Sequence, residues 1–90
     1  MLAADKKRFR TRAHTLKPVV MMGQSGLTKN VLSEIENALQ YHELIKIRVR
    51  NGDPKERKTL VQQICKDTQA ELIQSIGQIA VLYRARPDKH

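Results

Sequence analysis

Gly23-Gln24-Ser25-Gly26 is the stretch of this chain whose residue types and spacing could do chemistry. It follows the apolar run Val19-Val20-Met21-Met22 and precedes a segment of helical periodicity opened by Thr28 and Lys29. The first backbone N–H groups of a helix lack partners, and the aligned peptide dipoles leave partial positive charge there, so a helix start attracts phosphate. A loop in front of it can meet a phosphodiester backbone only where side chains do not hold it away. Two glycines three positions apart allow that approach and also give access to φ > 0. Gln24 and Ser25 add uncharged hydrogen-bonding groups, and Lys29 is a cation where the helix dipole disfavours one but a phosphate would welcome it. A plain strand-to-helix turn accounts for the same glycines, so the four residues alone leave both readings open. Neither a Walker loop nor a dinucleotide-binding glycine fingerprint is present. A GxxG loop that clamps a nucleic-acid backbone is known from KH modules, where it joins two helices.

Charge supports a polyanionic partner. The 90 residues carry 17 Lys+Arg against 9 Asp+Glu, a formal charge of +8, and such a balance favours nucleic acid. An anionic membrane surface would also fit, but the narrow apolar stripe of the first helix disfavours it, and no membrane partner is expected. Residues 1–17 contribute +5 and residues 84–90 contribute +2, which leaves +1 for the middle. Lys6, Lys7, Arg8, Arg10, Arg12 and Lys17 are therefore candidate nucleic-acid contacts, and a second, weaker group comprises Lys46, Arg48, Arg50, Arg84 and Arg86. A solvated face is the ordinary use of such a charge run. Aromatic residues are Phe9, Tyr41 and Tyr83 only, too scattered for a base-stacking platform, so recognition is expected through backbone and shape, with strong salt dependence.

Catalysis finds no support. Glu34 and Glu36 lie two apart on a helix and do not face each other, and neither they nor Glu43 form a nucleophile–base–orienter set. His14, His42, His90 and Cys65 are too dispersed for a metal site. No metal, cofactor or small-molecule substrate is expected. Cys65 is the single cysteine, so no internal disulfide can form and a cytoplasmic setting is expected. No apolar run approaches the roughly 20 residues needed to span a bilayer, and no signal-peptide pattern opens the chain.

The elements that must position the loop follow from periodicity. Residues Ala4 to His14 read as a helix with the narrow stripe Leu2, Phe9, Ala13 and Leu16, stopped by Pro18. Val19–Met22 reads as a strand buried on both faces. Val31, Leu32, Ile35, Ala38 and Leu39 mark a helix with Thr28 as its N-cap. Leu44–Arg50 alternates with period two, setting Ile45, Ile47 and Val49 against Lys46, Arg48 and Arg50. Asn51-Gly52 supplies a turn, then Asp53, Pro54 and Glu56 announce a helix with the stripe Leu60, Val61, Ile64 and Cys65. Leu72–Ile76, Gly77-Gln78 and Ile79–Tyr83 read as a hairpin, and residues beyond Arg84 are expected to fray. The order α-β-α-β-α-β-β predicts a mixed four-stranded sheet with both central helices on one face and the basic first helix docked separately. One domain over residues 1–86 and a tail at 87–90 are expected.

Several segments together resemble the CRM domain (chloroplast RNA splicing and ribosome maturation), in its bacterial stand-alone YhbY type. They are Leu16-Lys17-Pro18-Val19-Val20, Gly23 to Thr28, Val31-Leu32-Ser33-Glu34-Ile35, His42-Glu43-Leu44-Ile45-Lys46, and Gly77 to Arg84. The resemblance implies an α/β fold similar to the C-terminal domain of bacterial translation initiation factor three. It also implies a non-enzymatic RNA-binding function in large ribosomal subunit assembly, with rRNA or a pre-50S particle as partner. By the same resemblance Gly23, Gln24, Ser25 and Gly26 form the RNA-contacting loop. Thr28 and Lys29, at the adjoining helix start, are candidate RNA contacts beside it, and the protein is expected to be a monomer. The competing expectation is an adaptor that docks on ribosomal proteins or assembly factors through the basic first helix.

Overall fold

The computed structural model describes residues 2–50 and 52–87. Asn51 and residues 88–90, which include most of the expected tail, lie outside the described residues. The elements run α1 (Ala3–Ala13), β1 (Val20–Met22), α2 (Lys29–His42), β2 (Leu44–Val49), α3 (Pro54–Thr68), β3 (Glu71–Ile76) and β4 (Ile79–Tyr83). The strands form one sheet in the order β1-β2-β4-β3. β1 pairs parallel with β2, while β4 is antiparallel to both β2 and β3.

The starts of α2 and α3 are set by side chains. Thr28 Oγ1 accepts the Val31 N–H at 3.2 Å, and Asp53 Oδ1 accepts the Glu56 N–H at 2.8 Å, with Pro54 at the first helical position. Both are N-cap bonds that satisfy an otherwise orphaned donor. α2 passes into β2 through a single residue, Glu43, whose φ of 67° is unusual for a side chain with a Cβ. Its N–H still reaches the Leu39 carbonyl at 2.9 Å, and its buried carboxylate is tied down by the C-terminal segment described below. At the hairpin, Gly77 has φ +56° at the first of the two turn positions, the pattern of a II′ turn.

The sheet separates two cores. On one face α2 and α3 lay Ile35, Leu39, Val61 and Ile64 over Val20, Met22, Ile45, Ile47, Val49, Ala80 and Leu82. Ile35, Leu39, Ile64 and Leu82 are wholly buried, and each such side chain contributes about 1.5–3 kcal/mol through removal from water. On the other face α1 brings Phe9 and Ala13 onto Leu44, Ile73 and Val81, flanked by Leu16 and Tyr83. Phe9 stacks on Tyr83 with ring centroids 4.2 Å apart, an arrangement stabilising beyond area alone.

Three local expectations are corrected. β1 is an edge strand buried on one face only: Val20 and Met22 point into the core, whereas Val19 and Met21 are exposed. The reason is that α1 covers the β2–β4–β3 part of its face and stops short of β1. Leu2 does not join the α1 stripe, because it is the residue preceding the helix and points to solvent. The chain beyond Arg84 does not fray at once, since Arg86 is held by Glu43.

Candidate nucleic-acid interface

The carboxyl ends of the parallel pair β1 and β2, the starts of α2 and α3 and the 77–78 turn all lie at one end of the sheet. Two backbone bonds fix this: the Arg50 N–H donates to the Met22 carbonyl at 2.9 Å, and the Val49 N–H to the Gln78 carbonyl at 2.7 Å. Gly23-Gln24-Ser25-Gly26 stands at that end as a closed turn, with the Gly26 N–H donating to the Gly23 carbonyl at 3.0 Å. The Thr28 N–H then reaches the Gly26 carbonyl at 3.1 Å. Thr28 has taken the Val31 N–H on its hydroxyl and the Leu32 N–H on its carbonyl, so among the described residues the N–H groups of Lys29 and Asn30 have no acceptor.

The two glycines do different things. Gly26 has φ +72°, a left-handed conformation that the turn requires and a side chain would strain. Gly23 lies outside that region, is exposed, and would carry a Cβ with nothing within 4 Å. Its lack of a side chain is thus demanded neither by its own backbone nor by its neighbours, and it leaves the outer side of the turn bare.

The cations distribute unevenly about this turn. Lys29 is exposed in the first turn of α2, and Arg50 is exposed directly after β2, brought alongside β1 by its bond to Met22. α1 crosses the opposite face of the sheet from the Tyr83 end, where Phe9 sits, toward the hairpin end, where Ala13 lies near Ile79. Lys6, Lys7, Arg8, Arg10 and Arg12 follow that line, so the later ones lie nearer the turn. Arg8 is paired with Asp5 at 3.0 Å, an exposed contact of little energetic weight. Arg8 and Arg12 also lie over the Phe9 ring, 5.8 and 5.5 Å from its centroid. Lys17 is exposed in the α1–β1 connection, at the far end of β1 from the turn. Lys46 and Arg48 are half-buried on the α1 face of β2, where the sheet emerges from beneath the helix, and the buried Arg48 Nε has no acceptor among the described residues.

Arg84 and Arg86 serve the fold. The Arg84 guanidinium, 20% exposed, contacts Glu36 Oε2 at 2.9 Å and the Thr68 carbonyl at 2.9 Å. The Arg86 N–H donates to Glu43 Oε2 at 2.8 Å, with its guanidinium Nε 3.9 Å from the same oxygen. A buried carboxylate must be paired, and the segment leaving β4 supplies the partners. Glu36 and Glu43 are thereby accounted for as anchors of that segment. Cys65 lies half-buried on α3, and burial first, then the Glu71 carboxylate, pushes its thiol above the usual range.

Among the described residues no group of three or more His, Cys, Asp or Glu could hold a metal, and no helix is long and apolar enough to cross a membrane. Sequence spacing did not single out His14 or Gln74, which the fold brings together with Lys46 beside the hairpin. No periodic signal marks Gln74, because its direction depends on an irregularity in β3.

Residues 1–84 match the family model for the CRS1/YhbY (CRM) domain. A probable RNA-binding protein of Pseudomonas aeruginosa is 42% identical over 83 residues, covering 92% of this chain and 80% of that one. An RNA-binding protein of Haemophilus influenzae is 48% identical over 84 residues, with 92% and 85% covered. The solution structure of a hypothetical protein from Staphylococcus aureus superposes with a TM-score of 0.84 at 32% identity, over 99% of this chain and 95% of that chain.

Proposed function

We propose that this chain, which belongs to the CRS1/YhbY (CRM) domain family, is an RNA-binding protein. It holds the phosphate backbone of ribosomal RNA or its precursor at the Gly23–Gly26 turn and the start of α2, and acts in cytoplasmic assembly of the large ribosomal subunit. The observation that carries the reading is Gly23, a glycine that neither backbone conformation nor packing requires. It stands beside helix N–H groups that have no acceptor among the described residues, at the carboxyl ends of a parallel strand pair, where open α/β sheets bind ligands. The relatives named as RNA-binding proteins support RNA as the polyanion, and the resemblance to the stand-alone YhbY type supports large-subunit precursors.

Lys29 and Arg50 flank the turn, and α1 extends the positive surface along the adjoining face. Such contacts fix register on a phosphate backbone without reading sequence. Each phosphate neutralised releases condensed counterions, so log K must fall linearly with log salt. Titrating salt against binding to purified, protein-free precursor rRNA fragments tests this. A steep negative slope is expected. Absence of binding at low and moderate salt would refute it in favour of an adaptor that docks on ribosomal proteins or assembly factors.

A further inference from the structure

We propose that the depression between the C-terminal end of α1 and the β3–β4 hairpin receives a single unpaired nucleobase of the bound RNA. The inference rests on the RNA-binding reading and adds to it a ligand feature, an unstacked base, that the turn at Gly23–Gly26 does not address. The depression has a volume of about 260 Å³, below the roughly 300–1,000 Å³ of pockets for drug-sized molecules. It is lined by Ala13, Ile76, Ile79 and Val81 together with His14, Lys46 and Gln74. Apolar side chains there offer the faces of a planar ring something to lie on. The imidazole, the ammonium and the amide provide groups for the ring edge and the attached phosphate, and a base drawn out of the stack is held by apolar side chains on its faces and hydrogen bonds at its edge.

The backbone is bent to make this site. Along β3, Leu72 packs toward α3, Ile73 toward α1, and Ser75 toward the α3 side again. Strict alternation would turn Gln74 to the α3 side as well. The register shift between Leu72 and Gln74 instead sets Gln74 opposite Val81 and into the depression beside it. A bulge commonly serves to re-aim one side chain. Neither Gln74 nor Lys46 has a side-chain partner among the described residues, so both remain available to a ligand. Ile76 is 64% exposed at the rim, an unfavourable placement that an occupant would relieve.

The depression also lies within reach of the turn. Met21, Arg48, Ile79 and Ile76 form one row across all four strands. Ile79 is thus two strand spacings, about 10 Å, from Met21, which precedes Gly23 by two residues. A short stretch of one RNA strand can therefore touch both places.

The test uses the full chain and two probes, a short perfect RNA duplex and the same duplex with one unpaired adenosine. The native protein should bind the bulged duplex about tenfold more tightly. Gln74→Leu, which removes the amide at similar size, and Ile76→Trp, which fills the rim from an exposed position, should both bring that ratio close to one while leaving perfect-duplex affinity unchanged. Gly23→Glu should weaken both probes by a similar factor and keep the ratio. Equal binding of both probes by the native chain, or a ratio indifferent to Gln74→Leu and Ile76→Trp, overturns the pocket while leaving the turn assignment standing. Binding of neither probe overturns the pocket, while the RNA reading itself stands or falls on the titration with precursor rRNA fragments.

Discussion

Replacing Gly23 by glutamate puts a carboxylate on the bare side of the turn without asking anything of the fold. The Cβ at this position meets nothing within 4 Å and the backbone is not left-handed, so thermal stability should stay within a degree or two of the parent. Take a phosphate seated against the turn to lie about 6 Å from the new charge. With an effective dielectric between roughly 20 and 80, the repulsion is about 0.7–2.8 kcal/mol, or a roughly 3- to 100-fold loss of affinity at low salt. The loss should shrink as salt rises toward a Debye length shorter than that separation. Fluorescence anisotropy with a labelled precursor rRNA fragment measures it, with Gly23→Ala as the uncharged control that loses much less. Gly26→Ala behaves differently, because φ +72° penalises a side chain by about 1–2 kcal/mol and the fold is weakened. If Gly23→Glu folds normally and binds within twofold of the parent at low salt, no phosphate approaches the turn and the reasoning from its glycines fails.

Other perturbations separate fold from binding. Asp53→Ala removes the cap bond to the Glu56 N–H and should cost about 1 kcal/mol, seen as a fall in Tm of roughly 4–8 °C, with RNA affinity of the folded protein unchanged. Arg84→Ala strands Glu36 and the Thr68 carbonyl and should destabilise by about 1–3 kcal/mol. Lysine at that position should recover only part of this, since it lacks the planar fork, and RNA affinity should again hold within twofold. The raised Cys65 thiol favours its neutral form in the folded chain. Its contribution to stability is thus complete below the ordinary thiol value and is lost as pH rises through the elevated one. Denaturation profiles should show a shallower alkaline limb in Cys65→Ser, and alkylation of native Cys65 near pH 8 should be slower than that of the unfolded chain.

The features legible in the sequence were those carried by neighbouring residues. Thr28 and Asp53-Pro54 mark helix starts because an N-cap oxygen and the backbone N–H that donates to it lie three positions apart. Ile45, Ile47 and Val49 declare their common face by alternation, and Gly77-Gln78 declares the hairpin. What stayed hidden depends on contacts distant in the chain. Met21 reads as buried within an apolar run, and only the position of β1 at the sheet edge exposes it. Arg84 and Arg86 read as free cations, yet their partners lie more than 40 residues earlier at Glu36 and Glu43. The turn is legible in its two glycines, but the difference between them, a left-handed backbone at Gly26 and open space around Gly23, is set by the folded backbone. Gln74 could not be anticipated at all, since a one-residue slip in β3 decides which face it serves.

RNA contact at the Gly23–Gly26 turn is tested most directly by an NMR titration of the isotopically labelled chain with a precursor rRNA fragment, following backbone amides. The largest shifts should fall on Gly23, Gln24, Ser25, Gly26, Lys29 and Asn30, with smaller ones on Arg50 and the last turn of α1. Shifts concentrated on the exposed side of α3, around Lys55 and Lys58, with residues 23–30 unmoved at saturation, would contradict contact at the turn.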